Sequence, residues 1–246
     1  MDTHSLYTST LKLIPSQMIF ASAETIPIIN PEITKRLENN LGLAFINQKE
    51  QQGNICFALS EEVRSEFKET FTAKDVFSFI YALIHSSIYR EKQKGIFPAD
   101  LLDITNQEKF WKLSHLGRDL RKIHFLDNDL IDQNGIQFPI DGDNIVKEIK
   151  FEKSTKSVLF SNSAPEVMNY PNENLGKIYI NKNQYFDNVP EEVWNFCISD
   201  FLPAQKFLNE RKEQELTHED ISQYQKIISA LTETVLIIKK IDKLVI

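Results

Sequence analysis

Thr72-Ala-Lys-Asp-Val-Phe-Ser-Phe-Ile-Tyr-Ala-Leu-Ile-His-Ser-Ser-Ile88 is the stretch that reads most plainly as one element. Val76, Phe79, Ile80, Leu83, Ile84 and Ile88 recur at helical spacing. Thr72 can cap such a helix, with Asp75 three residues on as the reciprocal acid of a capping box. The pattern is expected to stop at Gly95, with Pro98 just beyond. Downstream, a second helix is expected from Gln107 to about Leu126, its apolar face made of Phe110, Leu113, Leu116, Leu120 and Ile123.

Upstream the chain turns strand-like. Leu11–Ser22, Gly42–Asn47 and Asn54–Ser60 are short apolar runs bounded by Pro, Asn and Gly, and Asn30-Pro31 opens a short helix through Asn39. Beyond the second helix, Asn134-Gly135 and Asp141-Gly142 signal turns, and Ile145–Glu152, Ser157–Ser161 and Lys177–Asn181 read as strands. Asn169–Leu175 reads as a polar loop. Pro190 suits a first helical turn, Pro203 must break or kink that helix, and a second piece runs from Lys206 to about Gln214. Thr217 and Asp220 form another capping box. The last helix then places Ile221, Tyr224, Ile228, Leu231, Val235 and Ile238 on a coiled-coil seam.

The expectation is an α+β fold: a mixed, β-rich globular part with flanking helices and a C-terminal coiled-coil-like hairpin or bundle. Four segments follow, 1–71 small and mixed, 72–127 helical, 128–187 β-rich and 188–246 helical, taken together as one compact module.

Composition narrows the class further. The chain has 246 residues, 41% hydrophobic and 26% charged, with 7 Gly and 9 Pro, which excludes collagen-like and low-complexity chains. Two cysteines, Cys56 and Cys197, make no disulfide framework and suit a reducing cytosol, so a cytoplasmic location is expected. No apolar run is long enough to span a membrane. A net charge of −7 argues against a free-standing, nonspecific nucleic-acid binder but leaves room for a locally basic face.

Familiar catalytic apparatus is absent from the sequence. There is no phosphate-binding Gly-rich loop ending in Gly-Lys-Ser/Thr, no GxGxxG and no GxSxG elbow. His4, His85, His115, His124 and His218 lack zinc-ligand spacing. The Asn/Asp-Pro-Pro-Tyr tetrapeptide of amino-methyltransferases is missing. Asp141 with Glu148-Ile149-Lys150 matches a loose metal-dependent nuclease pattern, and equally a turn followed by a charged, exposed strand.

Three stretches offer contacts. Between Lys109 and His124 there are five basic residues and one acid. Trp111, His115, Arg118 and Lys122 fall on one stripe opposite the apolar face, suited to phosphate and base contact. The plainer reading is a solvated face with Trp111 tucked against a neighbour. Asn181, Asn183 and Gln184 carry paired donors and acceptors of the kind that read adenine. Beside them, Lys182 could meet a phosphate and Tyr185 could stack. The plainer reading there is a strand entering a loop. Lys206, Arg211 and Lys212 form a third cluster, or simply a snorkelling helix surface.

The stretch Lys177-Ile-Tyr-Ile-Asn-Lys-Asn-Gln-Tyr-Phe-Asp-Asn-Val-Pro-Glu-Glu-Val-Trp-Asn-Phe196 resembles the C-terminal target-recognition (specificity) region of Type ISP restriction–modification enzymes and related large adenine methyltransferases. Gln205-Lys-Phe-Leu-Asn-Glu-Arg-Lys212, Leu216-Thr-His-Glu-Asp-Ile221 and Tyr224-Gln-Lys-Ile-Ile228 continue the resemblance. So do Asp75–Arg90, Phe97-Pro98 and Phe110–His124 upstream, and the match covers residues 55 to 242 or so.

The resemblance implies a module that reads a DNA target and is itself non-catalytic. In such enzymes one long chain carries nuclease, ATP-driven translocase and adenine N6-methyltransferase before this region. S-adenosylmethionine, ATP and Mg sites would then lie on those other domains, and this chain would hold none. Its implied partners are double-stranded DNA and the methyltransferase, translocase and nuclease domains, with no membrane. The chain would be a C-terminal fragment or a split subunit. One alternative is a protein-docking module that uses the C-terminal seam and never touches DNA. The other is a Mg-dependent nuclease at Asp141, Glu148 and Lys150.

Overall fold

The computed structural model describes residues 29–46, 69–92, 103–124, 135–154, 174–198 and 202–245, with 90–92 described by backbone alone. The expected strands Leu11–Ser22, Asn54–Ser60 and Ser157–Ser161, the loop before Leu175, and the stop at Gly95 and Pro98 lie outside the described residues. The described residues are α+β, as expected. They belong to two compact units, Met1–Phe125 with Leu236–Ile246, and Leu126–Val235.

In the first unit α1 (Pro31–Leu41) begins where the sequence places it. Asn30 Oδ1 accepts the Glu32 N–H at 2.9 Å, Pro31 supplies a fixed φ, and Gly42 closes the helix at φ 65°. Leu37 and Leu41 are its buried stripe. Strands β1 (Ala44–Ile46) and β2 (Thr70–Thr72) pair in parallel, with Phe45 opposite Phe71.

Helix α2 (Ala73–His85) carries the expected capping box. The Thr72 N–H reaches Asp75 Oδ2 at 3.0 Å, and the Asp75 N–H reaches Thr72 Oγ1 at 3.4 Å. The apolar pattern continues past His85, but the helix stops at Ser86, whose ψ is 147°. Ser86 Oγ donates to the Leu83 carbonyl and accepts the Tyr89 N–H. Ser87 donates its backbone N–H and its hydroxyl to the Asp242 carboxylate. Two adjacent serines thus offer the backbone an alternative to the helical ladder, and a new short helix, α3 (Ser87–Lys92), restarts beyond them.

Helix α4 (Gln107–His124) packs along α2. The approach is close because Gly117 has no side chain: a Cβ there would collide with the Ser78 carbonyl and crowd the Ala82 nitrogen. Phe71, Phe79, Phe110 and Trp111 form a connected aromatic cluster, with ring centroids 5.0 to 5.8 Å apart.

In the second unit β3 (Lys150–Lys153), β4 (Leu175–Tyr179) and β5 (Tyr185–Pro190) form an antiparallel sheet in chain order. Strand alternation buries Ile178 and Phe186 and leaves Lys177, Tyr179, Tyr185 and Asp187 half-buried. Helix α5 (Glu191–Trp194) is a single turn that starts after Pro190. Pro203 does not break a helix as expected. It opens α6 (Pro203–Asn209), where its missing N–H costs nothing.

Helix α7 (His218–Val245) is entered through the Thr217–Asp220 capping box, and its residues through Val235 belong to this unit. The seam residues Tyr224, Ile228, Leu231 and Val235 are buried in one core with Ile178, Phe186, Val189, Phe207 and Leu208. Their partner in this unit is therefore a sheet with short helices, not a second long helix. The Tyr224 hydroxyl donates to the Ala204 carbonyl at 2.9 Å, and its ring lies 4.6 Å from that of Phe186. No helix among the described residues is long and apolar enough to cross a membrane.

Candidate nucleic-acid interface

The outer side of α4 lies in the first unit. The stripe expected there is divided by the fold. Trp111 is a correction: only 1% of it is exposed, and it packs against Phe110 in the core. Helical spacing places it opposite the apolar face, but a large ring can bend back under the helix and take the greater burial. His115 and Lys122 are exposed. Arg118 is half-buried, and its guanidinium lies 3.4 Å from Asp75 Oδ1, joining α4 to the cap of α2.

Arg121 lies off the stripe expected from the sequence. Its guanidinium carbon sits 4.4 Å from the centroid of the Phe77 ring, a cation–π contact. Burial, and the like charge of Arg118, disfavour its charged form. Its spacing of three from Arg118 was visible in the sequence, but the ring beneath it comes from α2.

The second unit holds the β4–β5 connection. Gln184 is another correction, because it is 1% exposed and its amide is fully used. Its Nε2 donates to the Ile140 carbonyl at 3.0 Å and to Asn144 Oδ1 at 2.7 Å. Its Oε1 accepts the Asn144 N–H and Asn181 Nδ2, each at 2.9 Å. Asn181 is likewise committed. Its Oδ1 accepts the N–H groups of Asn183 and Gln184, and its Nδ2 also reaches the Ile145 carbonyl.

These amides brace the turn from within and have no free edge for a base. What they hold outward is Lys182 and Asn183, both exposed at the tip. Tyr185 is half-buried, with Lys177 Nζ 3.8 Å from its ring centroid and Tyr179 beside it at 5.2 Å.

In the third cluster Arg211 is held by its own fold. It pairs with Asp220 at 2.8 Å, donates to the Phe207 carbonyl and lies 3.6 Å over the Phe207 ring. The Thr217 hydroxyl and then Arg211 keep the Asp220 carboxyl below its ordinary range. Lys206 and Lys212 are exposed, and Lys206 lies 3.7 Å from Glu210.

Asp141, Glu148 and Lys150 assemble no nuclease centre. All three are exposed, Lys150 pairs with Glu152 at 2.6 Å, and among the described residues no three or more His, Cys, Asp or Glu side chains group to hold a metal.

A sequence model described as the Type ISP C-terminal specificity domain matches residues 5–240. The chain belongs to that family. Type ISP specificity domains are DNA target-recognition modules of restriction–modification enzymes.

Solved structures add two similar chains. One is a nuclease-deletion mutant of the Type ISP enzyme LlaGI in complex with a DNA substrate mimic, at 18% identity and a TM-score of 0.41. That alignment covers 68% of this chain and 16% of LlaGI. The other is the ATP-dependent Type ISP enzyme LlaBIII bound to DNA, at 17% identity and a TM-score of 0.43, covering 71% of this chain and 11% of that one. The specificity domain thus spans only a small part of either enzyme. No curated protein matches it.

Proposed function

We propose that this specificity domain reads double-stranded DNA for a larger cytoplasmic enzyme and places a target adenine at a methyltransferase site on another domain. The family match over residues 5–240 carries the reading. S-adenosylmethionine, ATP and Mg would be held by the methyltransferase, translocase and nuclease domains of the parent. An enzyme of that kind swings the base out of the stack, so the recognition module has to fix the duplex in register rather than perform chemistry.

The exposed side chains suit that division of work. His115 and Lys122 on α4, with Lys206 and Lys212 in the second unit, offer phosphate contacts that position but do not specify. Lys182 and Asn183, projected by a turn whose other amides are saturated, are the groups available for base edges. A rigid base under a short polar tip lowers the ordering cost of binding. The docking alternative loses its surface, because Tyr224, Ile228, Leu231 and Val235 are already buried in the chain's own core.

Anisotropy titration of duplex DNA against the 246-residue chain at a series of salt concentrations tests the reading. Affinity that falls steeply with salt supports it. Absence of duplex binding at low salt overturns it.

A further inference from the structure

Arg121 is set apart from the other cations of α4. Its guanidinium is half-buried and stacked on Phe77, so the planar group is held rather than waving in solvent. Among the described residues no carboxylate lies within ion-pair distance of it. The Tyr81 hydroxyl favours its charge, and the like charge of the Arg118 guanidinium opposes it. Lys122 adjoins Arg121 in sequence, and His115 is three residues before Arg118 on the exposed side.

The acids nearby do not balance this group. Asp75 is engaged with Arg118, and its other oxygen completes the Thr72 cap. Asp119, half-buried on α4, is the one remaining carboxylate of this helix segment. Cations at spacings of three and four along a helix repel one another, and Asp75 offsets only the charge of Arg118. A stacked guanidinium with its fork free of carboxylates matches the geometry of a phosphate.

We propose that Arg121, braced on Phe77 and flanked by Arg118 and Lys122, seats a backbone phosphate of the DNA target against α4. This rests on the DNA-reading function proposed above and names a residue that performs it. A phosphate bridging Arg118 and Arg121 relieves their mutual repulsion, and Phe77 fixes the angle at which the fork meets it. The contact positions the duplex and carries no sequence information.

The test is anisotropy of a labelled random-sequence duplex with the full chain, across a salt series. Wild type, Arg121→Gln, Arg121→Lys and the exposed control Lys35→Gln are compared. Arg121→Gln should bind roughly tenfold more weakly at low salt and lose about one unit of salt slope. Arg121→Lys should keep the slope and recover only part of the affinity. Lys35→Gln should match wild type.

Melting curves separate a lost contact from a lost fold. Arg121→Met, which keeps an aliphatic stem over Phe77, reads the same slope should the glutamine variant not fold. If wild type binds and neither neutral variant alters affinity or slope, Arg121 makes no phosphate contact and the inference falls alone. If wild type itself does not bind, the DNA reading falls and takes the inference with it.

Discussion

Gln184 grips Asn144 at both ends of its amide, donating to Asn144 Oδ1 at 2.7 Å and accepting the Asn144 N–H at 2.9 Å. This clamp holds Asn144 at φ 53°, in the left-handed region. Gln184→Ala removes a buried partner from Asn144, Asn181 and the Ile140 carbonyl at once. It should cost about 2–4 kcal/mol of stability by urea denaturation. Asn183→Ala, at the exposed tip, should leave stability within about 0.5 kcal/mol. If Asn183 meets a base edge, the same variant should erode sequence discrimination by about 1–3 kcal/mol. The two variants are distinguished by running both assays on both.

Gly117 sets the distance between α2 and α4. Gly117→Ala places a methyl group into the Ser78 carbonyl, and that backbone cannot swing aside as a side-chain tip would. The helices must part, and the expected loss is about 1–3 kcal/mol despite the better helix propensity of alanine. Thermal denaturation reads it. A stabilised variant would show that the helices are not held at this spacing.

His124 predicts an acid-sensitive first unit. Its Nδ1 lies 2.6 Å from the Tyr81 hydroxyl, and its ring is 5.2 Å from that of His85. Burial, then the neighbouring His85, pull its pKa from 6.5 to about 3. Between those values the unfolded chain takes up a proton that the folded chain refuses. The contribution is therefore intact above pH 6.5 and is lost as pH falls toward 3, at up to about 1.4 kcal/mol per pH unit. Urea midpoints measured down this range should fall faster for wild type than for His124→Gln. Parallel curves would assign the acid sensitivity elsewhere.

Arg211 and Lys212 are neighbours with opposite expected behaviour. Arg211→Ala loses the Asp220 pair, the Phe207 carbonyl and the stack on the Phe207 ring, and should cost about 1–2 kcal/mol of stability. Lys212→Ala should leave the melting temperature unchanged and lower DNA affinity with a shallower salt slope. Melting and anisotropy on the pair check both.

Local chemistry was legible in the sequence. Both capping boxes and the Asn30-Pro31 helix start each depend on residues within one turn of each other. Tertiary choices were not. Trp111 sits on the outer stripe by angle alone and in the core by contact. Gln184 and Asn181 look like base readers because the same donors and acceptors that read adenine also brace a turn. Arg121 gained its meaning from Phe77, more than forty positions earlier in the chain. The seam of α7 is apolar in the sequence, but only the fold names the sheet that covers it.

Selection of the 246-residue chain against a randomised duplex pool at low salt, with the bound fraction sequenced, tests the central claim most directly. A target-recognition module should enrich one defined motif, and Asn183→Ala should broaden it at particular positions. Recovery of duplexes with no enriched sequence would contradict target recognition by this chain and leave only backbone contact.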